Sequence, residues 1–109
     1  IESLGVKIFI NIDEAIAKND VLNVLRIQLE RNAGTRIPSL REYHKYFGIT
    51  SERIEKFNKE IVILHPGPIN RGVELSSEVA DGPYQVILDQ VTNGVAIRMA
   101  VLYLLGTMH

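Results

Sequence analysis

Four consecutive apolar residues, Ile61-Val62-Ile63-Leu64, run directly into His65-Pro66-Gly67-Pro68. So short an apolar run reads as a strand covered on both faces, as strands are in a parallel sheet packed under helices. Two prolines then end it. Each lacks an N–H, and each pushes the residue before it toward extended backbone. The chain therefore leaves the sheet in a stiff loop, with the Pro66 and Gly67 carbonyls turned outward and unpaired. One X-Pro bond in this loop is a candidate for the cis form.

The rest of the chain supplies partners for that strand. Val6–Ile10 and Val21–Leu25 are short, apolar and β-rich, and read as two further strands. Between them Asn11, with Glu14 three residues on, marks a helix start, and the helix runs to about Lys18 before Asn19-Asp20. Strand, helix, strand implies a parallel pairing. A polar loop over 30–38, holding Arg31, Gly34 and Arg36, suits a mobile surface segment. Ser39-Leu40-Arg41-Glu42 is a capping box, so a helix runs from there to Phe47, with Gly48 as its stop. Thr50 or Ser51 caps another helix, to about Asn58. Val73–Val79 has no clear pattern, and Asp81-Gly82-Pro83 is a turn. Tyr84–Leu105 reads as one long helix, apolar at Ile87, Val91, Val95, Met99 and Leu102, with Asn93-Gly94 interrupting it and lowering helix propensity. The fold class is α/β, a parallel sheet flanked by helices, and 109 residues make one domain that leans on neighbours for cover.

Composition removes several function classes. Twelve basic residues balance 13 acidic ones, without the basic stripe of a nucleic-acid binder. The chain has no cysteine, which excludes a disulfide scaffold, a thiolate nucleophile and a Cys-based zinc site. That fits a reducing cytosol. The longest apolar run, Met99–Leu105, is far short of the ~20 residues that cross a bilayer. The chain opens on Ile1, in mid-pattern and without an initiator Met, and a missing N-terminal portion would hide any targeting segment.

Ligands of open parallel sheets gather beyond the carboxyl ends of the strands, and two such ends carry polar chemistry here. After Val21–Leu25, alternation puts Arg26 and Gln28 on one side of the extended chain. A guanidinium fork and a neutral amide suit an acidic small molecule. A structural ion pair at Arg26 with Gln28 at the surface stays open. After Ile61–Leu64, rigid Pro66 and Gly67 carbonyls suit an amide or amine donor, with a plain strand-to-loop turn as the alternative. His65 has no acid partner at a telling spacing and reads as a buried, hydrogen-bonded histidine. His44 and His109 have no second metal ligand near them. Arg98, within the apolar helix, must find a partner or reach solvent. Gly67 and Gly72 do not form a phosphate-binding fingerprint.

Taken together the segments resemble the aspartate transcarbamoylase family. The matching stretches are Leu25-Arg26-Ile27-Gln28-Leu29-Glu30-Arg31, Leu40-Arg41-Glu42-Tyr43, Phe47-Gly48-Ile49-Thr50, the run from His65 to Leu75, and Gln90-Val91-Thr92-Asn93-Gly94-Val95-Ala96-Ile97-Arg98-Met99-Ala100. They cover nearly the whole chain in order. The related ornithine transcarbamoylases carry His-Cys-Leu-Pro where this chain has His65-Pro66-Gly67-Pro68, which favours aspartate as substrate.

The resemblance implies a partial Rossmann-like, C-terminal aspartate-binding domain over residues 1–109. It implies carbamoyl transfer from carbamoyl phosphate to L-aspartate, an early step of pyrimidine synthesis, without a cofactor or metal. By motif position, Arg26 and Gln28 bind aspartate. Pro66, Gly67 and Pro68 meet the carbamoyl group through backbone atoms, and the loop with Arg31 and Arg36 closes over substrate. No catalytic side chain is implied within this stretch. Asn93 and Arg98 are implied to be structural. The family's N-terminal domain, with its Ser-x-Arg-Thr and His-Pro-x-Gln motifs, has no counterpart here, so the chain alone is expected to be inactive. The implied setting is a cytoplasmic homotrimer, with regulatory chains or dihydroorotase as further partners, and neither nucleic acid nor membrane. A non-catalytic module of the same fold, binding a small acid or a partner protein, is the alternative.

Overall fold

A computed structural model describes residues 2–28, 39–57 and 60–108. After a 3-10 turn at Glu2–Leu4 come α1 (Ile12–Lys18), β1 (Val21–Asn23), α2 (Leu40–Phe47), α3 (Ser51–Lys56), β2 (Val62–Leu64), α4 (Ser77–Ala80) and α5 (Ile87–Gly106). The loop expected over 30–38 and the end of the helix expected to reach Asn58 lie outside the described residues.

β1 and β2 pair in parallel, with Val21 beside Val62, Leu22 beside Ile63 and Asn23 beside Leu64. The α2–α3 segment forms the crossover between them. The pairing runs on past β1, because Val24 N–H donates to Leu64 O at 2.8 Å. On its other edge, Ile63 exchanges hydrogen bonds with Tyr84 O (2.8 Å) and Val86 N–H (3.1 Å). β2 therefore sits between two segments, and Ile63 is fully buried there. The core gathers Ile16, Ile49, Ile54, Ile61, Ile63, Leu75, Val79 and Ile87.

Helix starts follow the side chains that cap them. Asn11, Ser39 and Thr50 accept hydrogen bonds from the N–H groups of Asp13, Glu42 and Arg53. Each satisfies one of the donors that a helix start leaves without a partner. Gly48 ends α2 for steric reasons. Its φ of −63° suits any residue, but a Cβ there would lie 2.5 Å from His44 O.

Three expectations need correction. Val6–Ile10 is not a strand. Among the described residues no strand lies against it, and isolated β-rich backbone has no ladder to hold it. The parallel pairing instead joins the two later strands. β2 is also not covered on both faces: Ile61 and Ile63 are buried, but Val62 is 41% exposed. The long helix begins at Ile87, not Tyr84, because residues 84–86 are engaged by Ile63. It runs unbroken through Asn93-Gly94, and only Ile87 in it is buried. Leu88, Leu102 and Tyr103 are 78%, 72% and 71% exposed. The segment that lacked a pattern holds α4, capped by Ser76.

Candidate functional site

Because β1 and β2 are parallel and in register, the chain leaves both at one edge. Counting on from the last pair, Arg26 and Gly67 each lie three residues past their strands. The two exits are tied together: Asn70 Nδ2–H donates to Ile27 O at 3.2 Å. Ile27 is 9% exposed, whereas Arg26 is half-buried and Gln28 exposed. That burial fits the expected alternation, with Ile27 turned inward and its two neighbours turned the other way. Arg26 also makes a contact within the chain.

The β2 exit is built on His65, which is fully buried. Its backbone N–H donates to Gln90 Oε1 at 2.9 Å, anchoring it to the first turn of α5. Its ring Nδ1 lies 2.8 Å from Gly67 N, and its Nε2 lies 3.1 Å from Glu74 Oε1. A backbone N–H only donates, so Nδ1 accepts and the ring proton sits on Nε2, donating to Glu74. The same Glu74 oxygen accepts the Asn70 N–H at 2.7 Å. Pro66, Gly67 and Pro68 are exposed, and the Gly67-Pro68 bond is cis. Gly67 has φ of +68°, a region that L side chains rarely adopt, so glycine is required there. Among the described residues no group donates to the carbonyl of Pro66 or of Gly67.

Glu74 is 1% exposed and lies between Val73 and Leu75 of the core. Its backbone carbonyl accepts the Ile49 N–H at 3.0 Å. Its Oε2 is buried and has no hydrogen-bond partner among the described residues. Burial, and secondarily the negative charge of Glu74, pushes the Tyr43 hydroxyl above the usual phenol range. Arg71 is committed elsewhere. It forms a two-pronged ion pair with Asp81, both contacts at 2.7 Å, on the exposed surface. The Arg71 hydrogen bond holds the Asp81 carboxyl below the usual carboxylate range.

The sequence places the five expected binding residues, Arg26, Gln28, Pro66, Gly67 and Pro68, in the two strand exits that the structure brings together. His65 is the buried, hydrogen-bonded residue expected, but it does have an acid partner, nine residues on. Glu74, Asn70 and Gln90 were not singled out. The one available signal was an acid set between apolar Val73 and Leu75. His44 ties α2 to the segment before Glu74, with its Nδ1 2.9 Å from Val73 O. Arg98 is exposed, over Gly94. A separate groove is lined in part by Asp13, Lys45, Arg53 and Lys56; there Asp13 pairs with Lys56 at 3.1 Å and Arg53 at 3.5 Å, and Arg53 donates to the Lys45, Tyr46 and Gly48 carbonyls that end α2. Among the described residues no group of three or more His, Cys, Asp or Glu could hold a metal ion. No helix among them is long and apolar enough to cross a membrane.

Against known proteins, the family described as aspartate/ornithine carbamoyltransferase, Asp/Orn binding domain, matches residues 2–105. The chain belongs to this carbamoyltransferase family. A protein of Gemmatimonas aurantiaca named aspartate carbamoyltransferase catalytic subunit is 61% identical over 97% of the chain and 33% of its own length. One of the same name from Cytophaga hutchinsonii is also 61% identical, over 97% of the chain and 34% of its length. A crystal structure of aspartate transcarbamoylase from Trypanosoma cruzi in complex with carbamoyl phosphate superposes with a TM-score of 0.68, at 30% identity, covering 84% of this chain and 28% of that one. The chain thus spans about a third of the length of the curated carbamoyltransferases it matches.

Proposed function

We propose that this chain is the aspartate-binding part of an aspartate carbamoyltransferase, holding L-aspartate and the carbamoyl group of carbamoyl phosphate between its two strand exits. The observation that carries this is the tie from Asn70 to Ile27, which sets the Arg26–Gln28 segment against the His65–Pro68 loop. The names of the 61%-identical relatives support aspartate over ornithine. So does the absence of cysteine from the His65–Pro68 loop.

The chemistry is attack by the α-amine nitrogen of aspartate on the carbamoyl carbon. A C–N bond forms, the bond from that carbon to the phosphate oxygen breaks, phosphate leaves with the electron pair, and the amine gives up a proton. A guanidinium offers paired donors to a carboxylate, so Arg26, with Gln28 beside it, holds aspartate by an acid group. The unpaired Pro66 and Gly67 carbonyls accept from the carbamoyl NH2 and the attacking amine. Pro68 keeps that loop in shape. Holding nitrogen and carbon together replaces a two-body encounter with one placed contact. The phosphate end of the site falls to the remainder of the polypeptide, a carbamoyl-phosphate domain N-terminal to this one. That remainder also covers α5, along which Leu88, Leu102 and Tyr103 stand exposed. The working unit on this proposal is a cytoplasmic homotrimer.

Arg26→Ala in the full-length polypeptide tests the reading. Losing a charged donor to a carboxylate costs about 2–4 kcal/mol in kcat/KM for aspartate. Unchanged aspartate kinetics would remove Arg26 from the site. The 109-residue chain by itself should form no carbamoyl aspartate, and steady turnover by it would refute the division of labour.

A further inference from the structure

We propose that Glu74 is a positioning residue whose single working oxygen sets both halves of the site, the Pro66–Gly67 peptide through His65 and the Arg26–Gln28 segment through Asn70. The inference rests on the binding roles just proposed for those segments.

The first arm runs through a tautomer. A neutral imidazole has one donor nitrogen and one acceptor. Gly67 N–H needs an acceptor at Nδ1, 2.8 Å away, so the proton must lie on Nε2. Glu74 Oε1 accepts it there, at 3.1 Å, in a place closed to water. Without that acceptor a buried Nε2–H has no partner, and only the Gly67 N–H bond is left to favour this tautomer. The other tautomer would aim Nδ1–H at Gly67 N–H, and the peptide would have to turn away. In a planar trans peptide the N–H and the preceding carbonyl point in opposite directions. Fixing Gly67 N–H toward His65 therefore fixes the Pro66 carbonyl away from it.

The second arm is shorter. Oε1 also takes the Asn70 N–H at 2.7 Å, and the Asn70 side chain holds Ile27 O, between Arg26 and Gln28. One oxygen thus references both strand exits to a common point. That point is itself fixed to the core by the Ile49 N–H bond to Glu74 O.

Packing alone does not call for this residue. A buried carboxylate carries a desolvation cost that an apolar side chain of similar volume avoids. Glu74 bears that cost with Oε2 idle. The idle oxygen also makes the test sharp. Glu74→Gln can keep an amide oxygen at the working position and put its NH2 where Oε2 lies. Glu74→Met keeps the length and removes the acceptor.

The experiment uses the full-length polypeptide, with long-range 15N–1H correlation on labelled histidine to read the His65 tautomer. Aspartate kinetics and urea midpoints are measured in parallel. Wild type should show the proton on Nε2. Glu74→Met should mix the tautomers and lower kcat/KM for aspartate about 100-fold, the order expected for a displacement near 1 Å. Glu74→Gln should keep Nε2–H and recover most of the activity. A proton on Nδ1 in wild type overturns the proposal. So does a Met variant with a lower urea midpoint but unaltered turnover when folded, which is the behaviour of a merely structural residue. A Gln variant as impaired as Met also overturns it. If Glu74→Met fails to fold, the wild-type tautomer and the Gln variant still decide. Arg26→Ala separates the two ideas: it should leave the His65 tautomer intact, and if it leaves aspartate kinetics intact too, the binding assignment fails on its own.

Discussion

Removing the Asn70 amide is the most direct perturbation of the junction between the two strand exits. Asn70→Ala deletes the donor 3.2 Å from Ile27 O and leaves the Asn70 N–H bond to Glu74 in place. A neutral hydrogen bond is worth about 1 kcal/mol net, and a carbonyl left unpaired in the interior costs about 1–3 kcal/mol. Ile27 is 9% exposed, so water reaches this region poorly, and a loss of about 1–2 kcal/mol in stability is expected. The catalytic cost should exceed the stability cost. The lost bond ties the chain beyond β2 directly to the Arg26–Gln28 segment. A drift near 1 Å between groups that hold one substrate costs about 100-fold, or about 2.7 kcal/mol. Asn70→Asp keeps the size but sets an oxygen against Ile27 O, and should be at least as damaging. Urea unfolding and initial rates of carbamoyl aspartate formation by the full-length polypeptide give both numbers. Aspartate kinetics untouched in Asn70→Ala would refute the reasoning, because the two exits would then hold their places without the bridge.

Two further outcomes follow from local geometry. Gly48→Ala puts a Cβ 2.4 Å from His44 Nδ1 and 2.5 Å from His44 O, so the ring must leave Val73 O or α2 must shift; urea unfolding should show a loss of about 1–3 kcal/mol, and wild-type stability would show that the turn gives way freely. The folded-state pKa of Asp81 lies below its ordinary 3.8, so its pair with Arg71 contributes above that value and is lost as pH falls through the depressed one. The stability difference between wild type and Asp81→Asn should therefore be present at neutral pH, fade below pH 3.8 and shrink in high salt; a difference unchanged down to pH 2 would exclude the ion pair as its source.

What could be read in advance depended on whether its cause was local. α2 was legible because Ser39, Glu42 and Gly48 carry its ends within ten residues, and Thr50 marks α3 in the same way. The β2 exit was legible because proline limits the backbone wherever it stands. Val6–Ile10 misled because a strand is a property of a pair, and no sequence pattern supplies the partner. The exposed Val62 misled for a related reason: four apolar residues say that cover is wanted, not that it is present. Glu74 was hidden by distance of another kind. Its partners His65 and Asn70 lie nine and four residues away across a turn, in contacts that belong to no helix face or strand ladder. A lone acid between Val73 and Leu75 looks like surface until the Ile49 bond draws its backbone inward.

The bare carbonyls bear on selectivity as well as on placement. Pro66 and Gly67 are exposed and their oxygens lack protein donors among the described residues, so water serves them in the open site. A ligand that displaces this water must bring N–H groups of its own, or each oxygen is stranded at about 1–3 kcal/mol. In the proposed site, carbamoyl phosphate and an amino acid would both bring them, whereas a dicarboxylic acid without the amine would satisfy Arg26 and abandon the carbonyls. Sites that bond a polar group of the substrate reject analogues lacking it by about 10⁴-fold, whereas an arginine fork alone accepts any carboxylate of the right reach. On the proposed assignment, discrimination against such acids falls to the β2 exit rather than to Arg26, and it is only as sharp as the direction in which those two oxygens are held.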